Sequence, residues 1–299
     1  MPRVSIGMPV YNGENYIREA IDSILAQEFT DFELIISDNA STDGTEAICR
    51  DYAARDARVR YIRQPENKGA AQNYNVLVHE ARGEFFKWAA HDDCLRPGFL
   101  ARCVEAFDGY AVKPAIVYTR SDLIDEQGNV IRLDPDRQQT HADTALRRAF
   151  EVLQTMSYAA SVFGLFHLPT LRRTQLIGAF ISSDYVLLLQ CALLGKIVQL
   201  DGAPEFLRRV HPKMSRENNT SKADVLRWFD PRAKSKLSEF QRLFLEYVRA
   251  PYRMDGVRWR AFYAAAIAAS VSFKWGRVAL GRWRRQIGLG GRGEPAGAA

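Results

Sequence analysis

The chain has 299 residues, 47% of them hydrophobic and 25% charged, which is ample apolar content for a packed core and excludes a largely disordered protein. Cys49, Cys94, Cys103 and Cys191 show no C-x-x-C spacing, so neither a zinc site nor a redox dithiol is indicated and reduced, structural thiols are expected. The net charge of +6 is localised, because Pro251 to Ala299 carries nine Arg or Lys against two acids, while residues 1–250 sum to −1.

The opening residues, MPRVSIGMPVYNG, hold one basic residue and then a strand-like run broken by Pro9. They lack the long apolar region and small-residue cleavage site of a signal peptide, and a cytosolic protein is expected. Residues 4–10 and 32–38 read as short apolar strands. Between them Ile17, Ile21, Ile24 and Leu25 recur at helical spacing. The pattern repeats with a helix after a cap at Thr42 or Asp43, a strand at 59–64, a helix near Ala70–Ala81, the strand FFKWAA, a helix after Pro97 and a strand at 115–119. Such alternation predicts an α/β fold with a mostly parallel sheet flanked by helices.

Ligands of these sheets bind beyond the C-terminal strand ends. Four segments fall there: MPVYNGE, SDNASTDG, QPENKG and HDD. Tyr11 has the ring to stack on a planar base, and Asp38 and Asn39 have the polar atoms to meet a base edge. No G-x-G-x-x-G follows the first strand, which argues against a dinucleotide-dependent oxidoreductase. Asp92 and Asp93 are adjacent carboxylates at the end of an apolar run. Two such charges are costly to bury unless something positive shares the site. Taken alone the pair reads first as a solvated start to the next helix. Asp184 reads equally as a helix cap, Tyr11 as packing on the sheet edge, and His211 as a loop anchor.

Together, VSIGMPVYNGENYIREAIDSILAQ, FELIISDNASTDGT, NKGAAQNYN, HDD, SDYVLLLQCALLGKIVQL and FLRRVHPKMS resemble the family 2 inverting glycosyltransferases of the GT-A fold. The resemblance spreads over about 210 residues of the chain. It implies a nucleotide pocket at Pro9, Tyr11 and Glu14, a base contact by Asp38 with Asn39 beside it, and a ribose or diphosphate contact by Asp92. It further implies a divalent metal, Mn²⁺ or Mg²⁺, at Asp93 with His211 near it, and a catalytic base at Asp184. Ser183 departs from the family pattern, which has glutamate there. The implied reaction moves a sugar from a nucleotide donor, UDP-sugar favoured, to a hydroxyl acceptor with inversion, in polysaccharide, cell-wall or glycolipid synthesis. A non-catalytic sugar-nucleotide binder and a nucleotidyltransferase stay open as alternatives, although MPVYNGEN lacks the Gly/Arg/Lys-rich loop that a triphosphate needs.

A catalytic domain over residues 1–225 is expected, followed by a helical extension over 226–299. Residues 133–145 are polar and turn-rich, and read as a long loop. Residues 226–248 read as one amphipathic helix. Residues 261–273 form a 13-residue run without charge, flanked by Arg258, Arg260, Lys274 and Arg277. That is too short to span a bilayer. With aromatic residues among the arginines, the segment 256–286 reads either as an interfacial helix on an anionic membrane, at the inner face of the plasma membrane, or as a helix packed on the catalytic domain. An interfacial helix implies a lipid-linked saccharide as acceptor. No nucleic-acid recognition motif accompanies the basic residues.

Overall fold

From one edge to the other, the large sheet runs β10 (Ile197–Leu200), β6 (Ile116–Thr119), β9 (Leu165–His167), β4 (Phe85–Trp88), β1 (Val4–Val10), β2 (Phe32–Asp38) and β3 (Val59–Arg63). A computed structural model of the protein describes residues 1–155, 159–211, 222–232 and 237–286, with backbone only at 222–223 and 277–286. All pairings in this sheet are parallel except those of β9, which runs antiparallel to β4 and β6. The expected mostly parallel architecture is therefore observed.

All seven residues of β1 and of β2 are buried, as continuous apolar strands covered on both faces must be. The period-2 alternation divides them between two cores. Ile6, Met8, Leu34 and Ile36 pack under α1 (Ile17–Leu25) and α4 (Phe99–Asp108). On the opposite face Ile35, Phe86 and Trp88 meet Leu77 of α3 (Ala70–Glu80) and Leu187 of α7 (Ser183–Leu194). Helix α1 buries Ile17, Ala20, Ile21 and Ile24, close to the predicted stripe. Gly7 sets the approach of α3, because a Cβ there would stand 2.8 Å from Leu77 Cβ.

A second sheet was not foreseen in the sequence. It runs β5 (Cys94–Leu95), β11 (Phe206–Arg209), β7 (Ser121–Ile124) and β8 (Val130–Leu133). Its two-residue β5 has no periodicity to read. The polar stretch after it is also more ordered than its composition suggests: Asp134, Asp136, Gln138 and Thr140 are buried in alternation, and Asp136 Oδ2 accepts a hydrogen bond from Ala160 N at 2.8 Å. Helix α2 (Thr45–Arg55) begins later than the expected cap at Thr42 or Asp43. Asp43 nonetheless serves the entry, since its Oδ1 accepts from Thr45 N at 3.1 Å.

The single helix expected over 226–248 is two: α8 (Lys222–Phe229) and α9 (Glu239–Arg249). Pro231, which cannot donate to a helical ladder, follows the first, and Ser238 opens the second in a capping box with Gln241. The expected domain boundary at 225/226 falls inside α8. Tyr247, Met254, Ile267 and Val271, the last two on α10 (Arg260–Gln286), pack with Val186 and Leu189 of α7 in a third core. The extension is thus joined to the sheet domain by shared burial. The four cysteines are buried and unpaired, and burial pushes the Cys94 thiol up to about 11. Among the described residues no helix is long and apolar enough to cross a membrane. The final residues, 287–299, and residues 212–215 of the family-like segment lie outside the described residues.

Candidate active site

The loops after β1, β2 and β4 leave the same sheet edge and wall a cavity of about 940 Å³. Pro9, Tyr11, Glu14, Asn39, Asp92, Asp93 and His211 all line it. Asp38 and Asp184 do not.

The first two loops are fastened to each other. Asn12 N donates to Ser41 Oγ at 2.9 Å, Gly13 N to Thr45 Oγ1 at 2.8 Å, and Glu14 Oε2 accepts from Gly44 N at 2.7 Å. Glu14 is therefore a strut between loops as well as a wall residue. Tyr11, half exposed at 45%, keeps its ring available to a ligand.

Asp38 sits beneath the floor. Its carboxylate accepts from Ser41 N at 2.8 Å, Tyr61 Oη at 2.7 Å and Arg63 Nη1 at 2.8 Å, and it is fully buried. Those bonds engage both oxygens, and the residue contributes no surface to the cavity. Asn39, one step along the strand exit, faces the cavity instead. Its amide donates to Asn67 Oδ1 at 2.8 Å and accepts from Lys68 N at 2.9 Å.

The small sheet explains how Asp92, Asp93 and His211 meet. Leu207 pairs with Cys94 and Phe206 with Leu95, so the chain leaving β11 passes beside the acids that precede β5. Arg209 N donates to Asp93 Oδ1 at 2.8 Å, and His211 Nε2 lies 3.0 Å from Asp92 Oδ2. The buried Arg209 guanidinium donates to Asp92 O, Asp125 O, Glu126 O and Glu19 Oε2 at 2.6–3.0 Å. It also lies 4.7 Å from the Tyr16 ring centre, while that ring packs 4.9 Å from His211.

The two acids are shifted in opposite directions. Burial pushes Asp92 up, but the His211 hydrogen bond and the nearby His91 outweigh it and hold the carboxyl below its ordinary value. Burial and the neighbouring Asp92 push Asp93 up to about 7, against the Arg209 amide. The Tyr74 hydroxyl is raised by burial and then by Asp92, Asp93 and Asp184. That phenol therefore feels Asp184 together with the acid pair. Asp184 stands half-buried in the first turn of α7, with Oδ1 accepting from Tyr185 N at 3.0 Å. Beside it, buried Ser183 Oγ has no hydrogen-bond partner among the described residues.

Among the described residues no three His, Cys, Asp or Glu side chains form a metal-binding group. The donor set still suits one kind of ion. Mg²⁺ and Mn²⁺ prefer hard oxygens, and Mg²⁺ in particular is commonly held by one or two carboxylates plus substrate phosphates and water. Asp93 Oδ2, unlike its Oδ1, accepts no hydrogen bond among the described residues. A cation at His211 would have to share the bond to Asp92.

The glycosyl transferase family 2 model matches residues 5–163, just over half of the chain. The chain belongs to glycosyl transferase family 2. It is 38% identical over 138 residues to an uncharacterized glycosyltransferase of Rickettsia felis, covering 45% of this chain and 22% of that protein. It is likewise 38% identical over 131 residues to the chondroitin synthase of Escherichia coli, covering 44% of this chain and 19% of that protein. The match thus spans about a fifth of these relatives' length. Two solved structures establish the family's GT-A fold across most of the chain. TarS of S. aureus (residues 1–349), in complex with UDP-GlcNAc, superposes with a TM-score of 0.65 at 18% identity, covering 91% of this chain and 71% of that one. The mannosyltransferase PcManGT of Pyrobaculum calidifontis, in complex with GDP-Man and Mn²⁺, gives 0.53 at 17% identity, covering 96% and 83%.

Several lining residues of this family 2 site escaped the sequence reading. Tyr16 and Tyr74 lie on helical stretches where aromatics ordinarily mean core. Arg227 and Trp228 come from α8, which was assigned to the extension. Gly69 brings that helix in: its φ is +83°, and an added Cβ would stand 2.5 Å from Phe229 O. The glycine directly before the helix in NKGAAQ was the signal available in the sequence.

Proposed function

We propose that the chain is a metal-dependent inverting glycosyltransferase that moves a sugar from a nucleoside-diphosphate donor to a hydroxyl acceptor. The observation that carries this reading is the convergence of Tyr11, Asn39, Asp92 and Asp93 on one cavity at the C-terminal edge of β1, β2 and β4. Tyr11 stacks on the base, and Asn39 with Asn67 meets its edge, in the role first expected of Asp38. Asp92, whose ionised form is favoured by His211, orients the ribose by accepting hydrogen bonds from its hydroxyls and stands beside the diphosphate. Asp93 holds Mn²⁺ or Mg²⁺, which when bound supplies Lewis-acid stabilisation to the departing diphosphate.

Asp184 takes the proton of the acceptor hydroxyl as that oxygen attacks the anomeric carbon. One base and one displacement invert the anomeric centre. The half-buried place of Asp184 at the start of α7, where its charge acts on the Tyr74 phenol as those of Asp92 and Asp93 do, supports this role. A UDP-sugar donor is favoured by the likeness to TarS in complex with UDP-GlcNAc. A saccharide or lipid-linked saccharide acceptor, in polysaccharide, wall or glycolipid synthesis, accords with the relationship to a chondroitin synthase.

The test is incubation with UDP- and GDP-sugars, with and without Mn²⁺. Release of nucleoside diphosphate and an anomer opposite to the donor's is expected. Pyrophosphate release would instead mark nucleotidyl transfer, and binding without turnover of any donor would mark an accessory protein.

A further inference from the structure

Helix α10 has no charged residue between Arg260 and Lys274. One side buries Ile267 and Val271 in the third core, with Ala264 also buried, while Phe262, Ala265, Ala269 and Phe273 are exposed. Phe262 and Phe273 are 58% and 65% exposed. At 3.6 residues per turn, positions 262 and 273 share nearly one azimuth, so the exposed side is an apolar strip running along the helix. Trp259, directly before the helix with φ +60°, is 76% exposed, and Tyr252 is 50% exposed. An ordinary solvent-facing helix side carries charge; this one carries aromatic rings.

The geometry points to an anionic phospholipid surface as the occupant, with α10 lying in the headgroup plane on its Trp259–Phe262–Phe273 side. Charge complementarity selects this partner. The chain from Pro251 onward carries a net +7, whereas the preceding 250 residues sum to −1. The basic residues bracket the apolar strip in sequence: Arg258 before it, exposed and without an ion pair among the described residues, and Arg277, Arg282, Arg284 and Arg285 after it, whereas Lys274 turns inward to Leu153 O. Apolar rings inserted at the acyl boundary with cations at the phosphates are the two components of interfacial binding. The helix does not qualify as a membrane span. An in-plane helix would hold the sheet domain at the surface whatever its acceptor.

The test is co-sedimentation of the full chain with phosphatidylcholine vesicles and with phosphatidylcholine vesicles containing phosphatidylglycerol. Binding to the anionic vesicles, weakened by high salt and slight on the neutral ones, is expected. Trp259→Ser/Phe262→Ser should reduce it by about tenfold or more, with circular dichroism verifying the fold. Arg258→Glu, which leaves the rings intact, should reduce it less. A wild-type chain that stays in the supernatant with anionic vesicles overturns the proposal, as does a double variant that binds undiminished. So does a concentration-dependent dimer abolished by the double variant in the absence of vesicle binding, which would make a second copy the occupant.

Discussion

His211 Nε2 stands 3.0 Å from Asp92 Oδ2, although 119 residues separate them in the chain. The contact is made by the pairing of β5 with β11, and it favours the ionised form of Asp92. With the imidazole in place, Asp92 is held below its ordinary value despite burial. His211→Ala removes the main force opposing that burial, so the Asp92 carboxyl should titrate upward. Nucleotide affinity in the presence of Mn²⁺ should fall about tenfold near neutrality, equivalent to ~1.4 kcal/mol. The loss should shrink as pH rises and Asp92 ionises again. Calorimetric titration with UDP between about pH 5 and 8 reads both effects.

Burial of Asp93 costs the fold stability near neutral pH. Its carboxyl is raised to about 7 by burial and by Asp92, against about 3.9 in an unfolded chain. The folded protein therefore binds more protons than the unfolded one across that window. The resulting stability is fully present below about pH 4 and is lost as pH rises toward 7. Asp93→Asn keeps an oxygen for the Arg209 amide and removes the buried charge. It should stabilise the metal-free protein by about 1–2 kcal/mol at pH 7.5 and above, and flatten the decline between pH 4 and 7. Turnover should collapse. Urea denaturation at several pH values checks the first part, and loss of Mn²⁺-dependent activity checks the second.

Asp184→Asn separates chemistry from binding. Asp184 does not line the nucleotide cavity, so donor affinity should stay within about twofold. Removing a general base should lower kcat by about 10²–10⁴. The asparagine keeps the oxygen that accepts from Tyr185 N, and an acid in the first turn contributes only about 0.3–1 kcal/mol to the helix, so the variant should fold. Nucleoside diphosphate release and calorimetry, run on one preparation, give the two readouts. Unchanged turnover would remove Asp184 from the mechanism.

The legible part of this protein was its local part. Strands β1 and β2 are continuous apolar runs, and α1 carries its own stripe at Ile17, Ile21 and Ile24; each signal lies within one segment. The small sheet was illegible because its members are two to four residues long and come from three distant regions. The site followed the same division. Pro9, Tyr11, Asn39 and the acid pair are read from the strand ends they occupy. The proposed exchange of roles between Asp38 and Asn39 rests on Tyr61 and Arg63, which belong to β3 and reach Asp38 only once β2 and β3 have paired. Arg209 reads in sequence as one of two arginines ending FLRR. Only the fold shows that Arg209 turns inward to the carbonyls of Asp92, Asp125 and Glu126.

Lys87 gives a second pH signature of opposite sign. It lies at the centre of β4, fully buried, with its ammonium nitrogen against Phe163 O and 4.5 Å and 5.0 Å from the ring centres of Phe99 and Phe206. Burial lowers its pKa to about 7 from 10.5. Between those values the unfolded chain binds a proton that the folded chain does not, so stability rises with pH from about 7 to 10.5. Below pH 7 the charged form is buried at full cost. Lys87→Met fills the same volume without a charge and should stabilise the protein by about 1–3 kcal/mol at pH 7 or below, the gain fading toward pH 10. Lys87 also lowers the Asp93 carboxyl through its charge, so the variant should push Asp93 further up and weaken Mn²⁺ binding near pH 7. Thermal melts across this range, with and without Mn²⁺, test both halves. A Lys87→Met protein that melts lower than wild type at pH 7 would mean that the ammonium bond to Phe163 O outweighs its desolvation.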